Sequence, residues 1–223
     1  MSAFYEQWSG YIGLILDGAL ITVELTILGC ALALVMAFVA GLGRLSRLWY
    51  VRWLATAYIE FFRGTSIFVQ LFWAYFVLPL FGIPLTPLQA AVLALGLNVG
   101  AYGAEVVRGA VVSIGRTQYE ACIACNLSRY QTMRHIILPQ AFVVMLPTFG
   151  NNAIELLKGT AVVSLISLAD MTFQAQVVRA QTGSTAVPFL SILILYFLMA
   201  IVISATIRRL ERRLTQGLEG ARR

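Results

Sequence analysis

Charge is scarce in this sequence: 12% of its 223 residues are Asp, Glu, Lys or Arg, where a soluble domain carries about a quarter. With 60% hydrophobic residues, that shortage excludes an ordinary soluble enzyme and indicates an integral membrane protein. Histidine occurs once, at His135, so a Ser–His site within the membrane lacks its base. Cysteine is limited to Cys30, Cys122 and Cys125, an odd number in apolar or helix-like stretches that indicates no disulfide framework. Cys122 and Cys125 with one nearby imidazole would give at most three metal ligands, so their spacing is read as structural. There is no G-x-x-x-x-G-K-[ST] segment, which excludes a P-loop on this chain. A concentrated basic domain is also missing. The net charge of +6 comes from residues scattered between apolar runs and gathered near the end, which argues for membrane orientation and lipid contact and against nucleic acid. Met1 to Leu16 contains no Lys or Arg, which argues against a cleaved signal peptide.

What is present is a set of charge-free runs: Leu25–Gly43, Gly64–Ala104, Ile136–Ile154 and Ala180–Ile207. A spanning helix takes about 20 apolar residues, so the second run is double length. Phe81-Gly82-Ile83-Pro84-Leu85-Thr86-Pro87 divides it, because two prolines and a glycine break helices. Five spans are therefore predicted, over Ala19–Gly43, Glu60–Leu80, Leu88–Val107, Gln140–Leu157 and Pro188–Ile207, in a single all-α membrane domain covering residues 1–223. Leu157 to Ala169 stays open between a longer fourth helix and a re-entrant or surface segment. Arg44, Arg47 and Arg52 follow the first span, Arg108, Arg116, Arg129 and Arg134 the third, and Arg208, Arg209, Arg212, Arg213, Arg222 and Arg223 the last, whereas the opposite loops hold Arg179 alone. Basic loops stay in the cytoplasm, so five spans put the N-terminus outside and the C-terminus inside.

The largest inside loop, at about 108–139, is written as two short helices. Thr117 to Cys125 suits the first, Asn126 can take the left-handed conformation that ends it, and Ser128 with Gln131 has the spacing of a capping box that starts the second. Pro139 marks either the stop of that helix or the first turn of the fourth span.

Glu120-Ala121-Cys122, then Asn126, then Ile136-Ile137-Leu138-Pro139 resembles the EAA loop of ABC importer permeases, with Cys122 in place of Ala and Asn126 in place of Gly. Both departures are mild, since cysteine is small and apolar and asparagine tolerates a left-handed turn. Tyr58-Ile59-Glu60-Phe61-Phe62-Arg63-Gly64-Thr65, Gly103 to Ala110, and Gly150-Asn151 followed by Leu156-Leu157-Lys158 are similar to the polar-amino-acid (HisM-like) branch. Ser66 stands where Pro is usual there, and Gly159-Thr160-Ala161 where Asp-Thr-Ser is usual. Asn151 to Lys158, Ser164 to Met171 and Cys122-Ile123-Ala124-Cys125 are further similar to the ectoine/hydroxyectoine permease subunit. The resemblance implies a type I (MetI-like) permease fold in a bacterial inner membrane, non-catalytic, with no cofactor on this chain. It also implies ATP and Mg on a partner ATPase, a second permease that is identical or homologous, and an extracytoplasmic solute-binding protein. Glu120, Ala121, Cys122, Asn126, Leu127 and Arg129 would then couple this chain to the ATPase.

Charged and amide groups within the spans mark a pathway or a packing seam. Thr148, Asn151, Asn152, Glu155, Lys158 and Gly159 fall within about a third of the helix circumference at ~100° per residue. A charge at the bilayer centre costs about 2.5–3.5 kcal/mol, so these groups should face protein or water. Asn151, Glu155 and Lys158 are the candidate solute contacts, Lys158 for a carboxylate and Glu155 for an amine or amidine; a self-neutralised i,i+3 pair that holds spans together is the alternative. Glu60 with Arg63 and Glu105 with Arg108 repeat that spacing and are expected to pair, fixing packing or a gate. Glu24 is expected at an interface or facing another subunit. Gly96, Gly100, Gly103 and Gly109 allow close helix approach, either within the chain or against a second permease. Phe68, Phe72, Trp73, Tyr75 and Phe76 are expected as anchors or as a pathway lining. The competing class, a self-contained secondary carrier or channel, would usually show matched halves, and no convincing self-similarity is visible.

Overall fold

A computed structural model describes residues 2–220, with side chains from position 11 to position 215; Arg222 and Arg223 of the basic tail lie outside the described residues. The described chain is helical throughout, and three of its helices are long and apolar enough to cross a membrane, or five if each of two bent pairs forms one span. In order they are α1 (Ser2–Arg44), α2 (Trp49–Gly64), α3 (Ile67–Phe72), α4 (Pro87–Ser113), α5 (Arg116–Ala124), α6 (Arg129–Gln131), α7 (Leu138–Gly159), α8 (Met171–Thr182) and α9 (Ala186–Gly220).

The helix α1 packs along α4, and glycines set the distance between them. A Cβ on Gly103 would lie 2.7 Å from the Ala37 Cβ, and one on Gly100 would lie 2.9 Å from the Met36 Cβ. Only glycine permits this approach, which replaces lipid contacts with dispersion between backbones. Gly96, Gly100 and Gly103 thus serve packing within the chain, whereas nothing lies near Gly109.

The expected second span is not one helix. α2 begins at Trp49, ends at Gly64, and meets α3 at a bend of 104°. Thr65 and Ser66 are extended there, with ψ of 152° and 133°, so the Phe62 and Thr65 carbonyls lose their helical partners. Gln70 and Asn98 replace them: Gln70 Nε2 donates to Phe62 O at 3.0 Å and Thr65 O at 3.3 Å, and Asn98 Nδ2 donates to Phe62 O at 2.8 Å. Both amides are buried. A broken helix survives in a membrane when side chains re-satisfy the freed backbone groups, and this pair does so.

Two prolines leave a second mark. Pro79 follows a π-helical turn at Trp73–Val77 that runs into a 3-10 turn at Leu78–Phe81, and Pro139 follows another π turn at Thr132–Ile137. Each proline lacks the N–H that an α-helix would direct at the fourth preceding carbonyl, and the widened turn relieves the conflict. Pro139 therefore sits in the first turn of α7 and stops nothing. The segment left open resolves as a 3-10 extension of α7, Thr160–Ile166, then a turn at Ser167 (φ 59°) and α8. Asp170 caps α8, accepting from the Thr172 and Phe173 amides at 3.1 and 3.0 Å.

Packing sorts the ends of the bundle. Ala37, Val107, Val111, Ile137 and Met145 form one cluster with Leu45, Ile114 and Tyr119 from the connecting loops. Ile15, Ala19, Met171, Val178 and Ile192 form another at the opposite end. Arg44 and Arg108 lie beside the first cluster and Arg116, Arg129 and Arg134 on the loop it seats. α9 runs from Ile192 in the second cluster to Ile207 against Gly150 of α7, so that its arginines lie toward the first, and Arg179 belongs to α8 at the second.

Candidate functional site

Two places gather the chemistry, a knob on the basic end and a polar cavity within the spans. In the knob, α5 closes with a left-handed residue: Asn126 has φ 55°. Its amide donates to Ile123 O at 2.9 Å and the Leu127 amide donates to Cys122 O at 3.0 Å, which satisfies the last carbonyls of the helix. Ser128 and Gln131 then form the expected reciprocal box, with Gln131 N to Ser128 Oγ at 3.3 Å and Ser128 N to Gln131 Oε1 at 2.9 Å. Local bonds thus fix both the stop and the restart. Cys122 is buried toward the bundle, whereas Glu120, Ala121, Ile123, Asn126 and Arg129 are exposed and Leu127 is half-buried. Burial, and less strongly the neighbouring Cys122, pushes the Tyr119 hydroxyl above its usual pKa. Cys122 and Cys125 are free thiols, the first buried and the second exposed, and no metal-holding group of His, Cys, Asp or Glu occurs among the described residues.

The cavity has a volume of about 470 Å³ and is lined by Ile67, Asn98, Val99, Tyr102, Asn152, Glu155, Lys158 and Gly159. Lys158 Nζ donates to Glu155 Oε1 at 2.8 Å, and both side chains are open, at 62% and 69% exposure. Since each charge would be costly against lipid, this open face belongs against water or another protein surface. Asn152 is one wall of the cavity, but its Nδ2 is buried and without a hydrogen-bond partner. Asn151, the expected contact, is exposed and does not line it. Sequence spacing placed both amides on one stripe but could not tell which side of that stripe faces α4.

The expected Glu60–Arg63 pair does not form. Arg44 reaches in from the end of α1, in contact with Glu105 and 4.0 Å from Glu60, while Arg108 Nε donates to Glu105 at 3.0 Å as expected. Two acids and two bases therefore tie α1, α2 and α4 together. Arg63 turns instead onto the Tyr102 ring, 5.3 Å from its centroid. The i,i+3 spacing was real, but a tertiary partner for Glu60 arrived from another helix. Glu24 is exposed on α1 beside exposed Leu20, Ile27 and Leu28. None of the five aromatic side chains from Phe68 to Phe76 lines the charged cavity; Phe68 and Phe72 stack at 4.7 Å, and Phe72 and Phe76 lie 5.4 Å apart.

A helical bundle with glycine-set contacts, a helix broken inside the apolar zone and a rigid knob at the basic end defines a membrane-embedded transport component. The chain belongs to the family described as binding-protein-dependent transport system inner membrane component, which matches residues 29–216. It is 42% identical over 216 residues to the "Probable amino-acid ABC transporter permease protein y4tF" of Sinorhizobium fredii, covering 94% of this chain and 91% of that one. It is 38% identical over 213 residues to the glutamine transport system permease protein GlnP of Escherichia coli, covering 93% and 97%. The crystal structure of an amino acid ABC transporter with histidines superposes with a TM-score of 0.86 at 33% identity, covering 93% of this chain and 97% of that one. The inward-facing MetNI methionine ABC transporter, at 21% identity and a TM-score of 0.77 over 90% and 96%, shares the fold. The architecture is therefore the all-helical, MetI-like type I importer permease fold.

Proposed function

We propose that this chain is the permease subunit of a binding-protein-dependent ABC importer, set in a bacterial inner membrane with its N-terminus outside and its C-terminus inside, for a small zwitterionic solute. The knob carries the reading: a capped, rigid helix presenting Glu120, Ala121 and Ile123 suits docking into a separate ATPase, where ATP and Mg are used. Asn126, Leu127 and Arg129 shape the far edge of that surface. A second permease would cover the exposed faces, and the two Sinorhizobium fredii relatives, 42% and 34% identical to this chain, support a paired and homologous partner. An extracytoplasmic binding protein would deliver the solute.

Relatives named for amino acids, glutamine and L-cystine support an amino-acid-like solute, and the ectoine-permease resemblance narrows this to a choice between ectoine-type compounds and amino acids. As the solute passes, Glu155 would meet its cationic end and Lys158 its carboxylate. Ectoine and L-glutamine are the probes to compare in proteoliposomes holding the whole complex. Lys158→Ala leaves Glu155 unpaired in the cavity, so uptake is expected to fall by about tenfold, the scale of one charge-assisted contact, while the complex still assembles. Unchanged uptake would reduce the pair to a packing device.

A further inference from the structure

Arg63 sits at the end of α2, one residue before the break at Gly64–Ser66. It has no carboxylate within ion-pair distance among the described residues, whereas Arg44 has two and Arg108 and Lys158 have one each. Its guanidinium lies over the Tyr102 ring, and Tyr102 is a wall of the Glu155–Lys158 cavity. Ile67, the first residue of α3 after the break, is another wall of the same cavity, so the chain on one side of the break lines the cavity and Arg63 on the other side meets its Tyr102 wall. Arg63 is exposed, one turn beyond Glu60, and a guanidinium at such a helix end is stabilised by water, a counter-charge or an aromatic ring. Tyr102 supplies the ring and leaves the N–H fork unspent on any acid.

From this juxtaposition we infer that Arg63 is a further solute-binding residue of the translocation pathway, holding the carboxylate of the passing solute at the cavity rim while Lys158 is paired with Glu155 and sharing it with Lys158 once that pair opens; the inference rests on the transport reading above. Glu155 and Lys158 neutralise each other at 2.8 Å, so the pair adds no net charge to the cavity, and Arg63, outside the lining but over its Tyr102 wall, brings a positive charge next to it. A carboxylate can meet the guanidinium in a bidentate geometry without first displacing Glu155 from Lys158. Its amine or amidine end then lies toward Glu155. Cation–π contact orients the fork but satisfies none of its hydrogen bonds, which leaves them for the ligand.

The test uses the intact importer complex, with its binding protein, in proteoliposomes supplied with ectoine or L-glutamine, whichever the wild-type complex transports. For Arg63→Gln we expect the permease pair and ATPase to stay assembled and binding-protein-stimulated ATP hydrolysis to be retained, with uptake reduced by about tenfold or more, the size of one lost charge-assisted hydrogen bond. Arg63→Lys should recover part of the uptake, because it keeps the charge and loses the fork. Uptake and stimulated hydrolysis falling in proportion, separation of the permease pair, or normal uptake would each overturn the inference. A wild-type complex that moves neither solute and responds to no binding protein would instead defeat the importer reading itself, which keeps the two failures apart.

Discussion

Asn126 occupies the left-handed region at φ 55°, and its short polar side chain is what makes that position tolerable. Glycine should be accepted there, whereas Asn126→Val places a β-branched residue where a left-handed backbone costs about 1–2 kcal/mol. The expected outcome is faster amide exchange across residues 120–131 in the valine variant and wild-type exchange in Asn126→Gly. Equal exchange in both variants would contradict the turn's role. Asn126 and the Ser128–Gln131 box were legible in the sequence because each depends on neighbours within a few residues. Glu60 and Arg63 were not, because the competing partners, Arg44 and Tyr102, come from α1 and α4. Asn152 was missed in favour of Asn151 for a related reason: adjacent residues on one stripe differ only in which neighbouring helix they meet.

The bend between α2 and α3 shows the same limit for elements. Hydropathy reads a continuous apolar run after Glu60, and a span over Glu60–Leu80 follows from it. The fold instead breaks the helix at Gly64–Ser66, because Gln70 and Asn98 supply donors for the freed carbonyls. Asn98 Nδ2 also lies 3.2 Å from Gln70 Oε1, and Gln70 Nε2 donates to Thr65 Oγ1 at 2.6 Å, so the two amides act as one clamp. Gln70→Leu or Asn98→Leu should each destabilise the purified permease complex by about 1–3 kcal/mol, the cost of stranding buried polar groups. The double variant should lose less than the sum, since both side chains bond the Phe62 carbonyl. Thermal unfolding in detergent checks this, and an unchanged midpoint in either single variant would contradict the clamp. The Thr86-x-x-Gln89 spacing is also a sequence signal for the start of α4: Thr86 Oγ1 accepts from Gln89 N at 3.2 Å and Gln89 Oε1 accepts from Thr86 N at 3.0 Å, which places the start just ahead of Leu88.

Across the whole molecule, the charge asymmetry visible in the sequence becomes a physical end of the bundle. The ion cluster of Arg44, Glu60, Glu105 and Arg108 lies beside the apolar contacts that seat the α5 knob, and α9 runs from the opposite end toward it. That arrangement gives a push on the knob a short route to α1, α4 and α7 through packed side chains, while the polar cavity lies between α4 and α7 farther along the spans. The exposed apolar residues of α1 and α9 suit lipid or a partner helix, which is why burial within this one chain looks low for so apolar a sequence. On the proposed importer reading, solute choice would rest on a few cavity groups and on a separate binding protein, which makes it less legible than the fold. The measurement that bears most directly on the account is recovery of the tagged chain from its native membrane in mild detergent, followed by mass spectrometry of what accompanies it. An ATPase carrying a P-loop should copurify with the wild-type chain and be lost on Glu120→Lys, while the second permease is retained. A wild-type chain recovered without an ATPase, under conditions that hold a control transporter together, would contradict the coupling role of the knob and with it the importer reading.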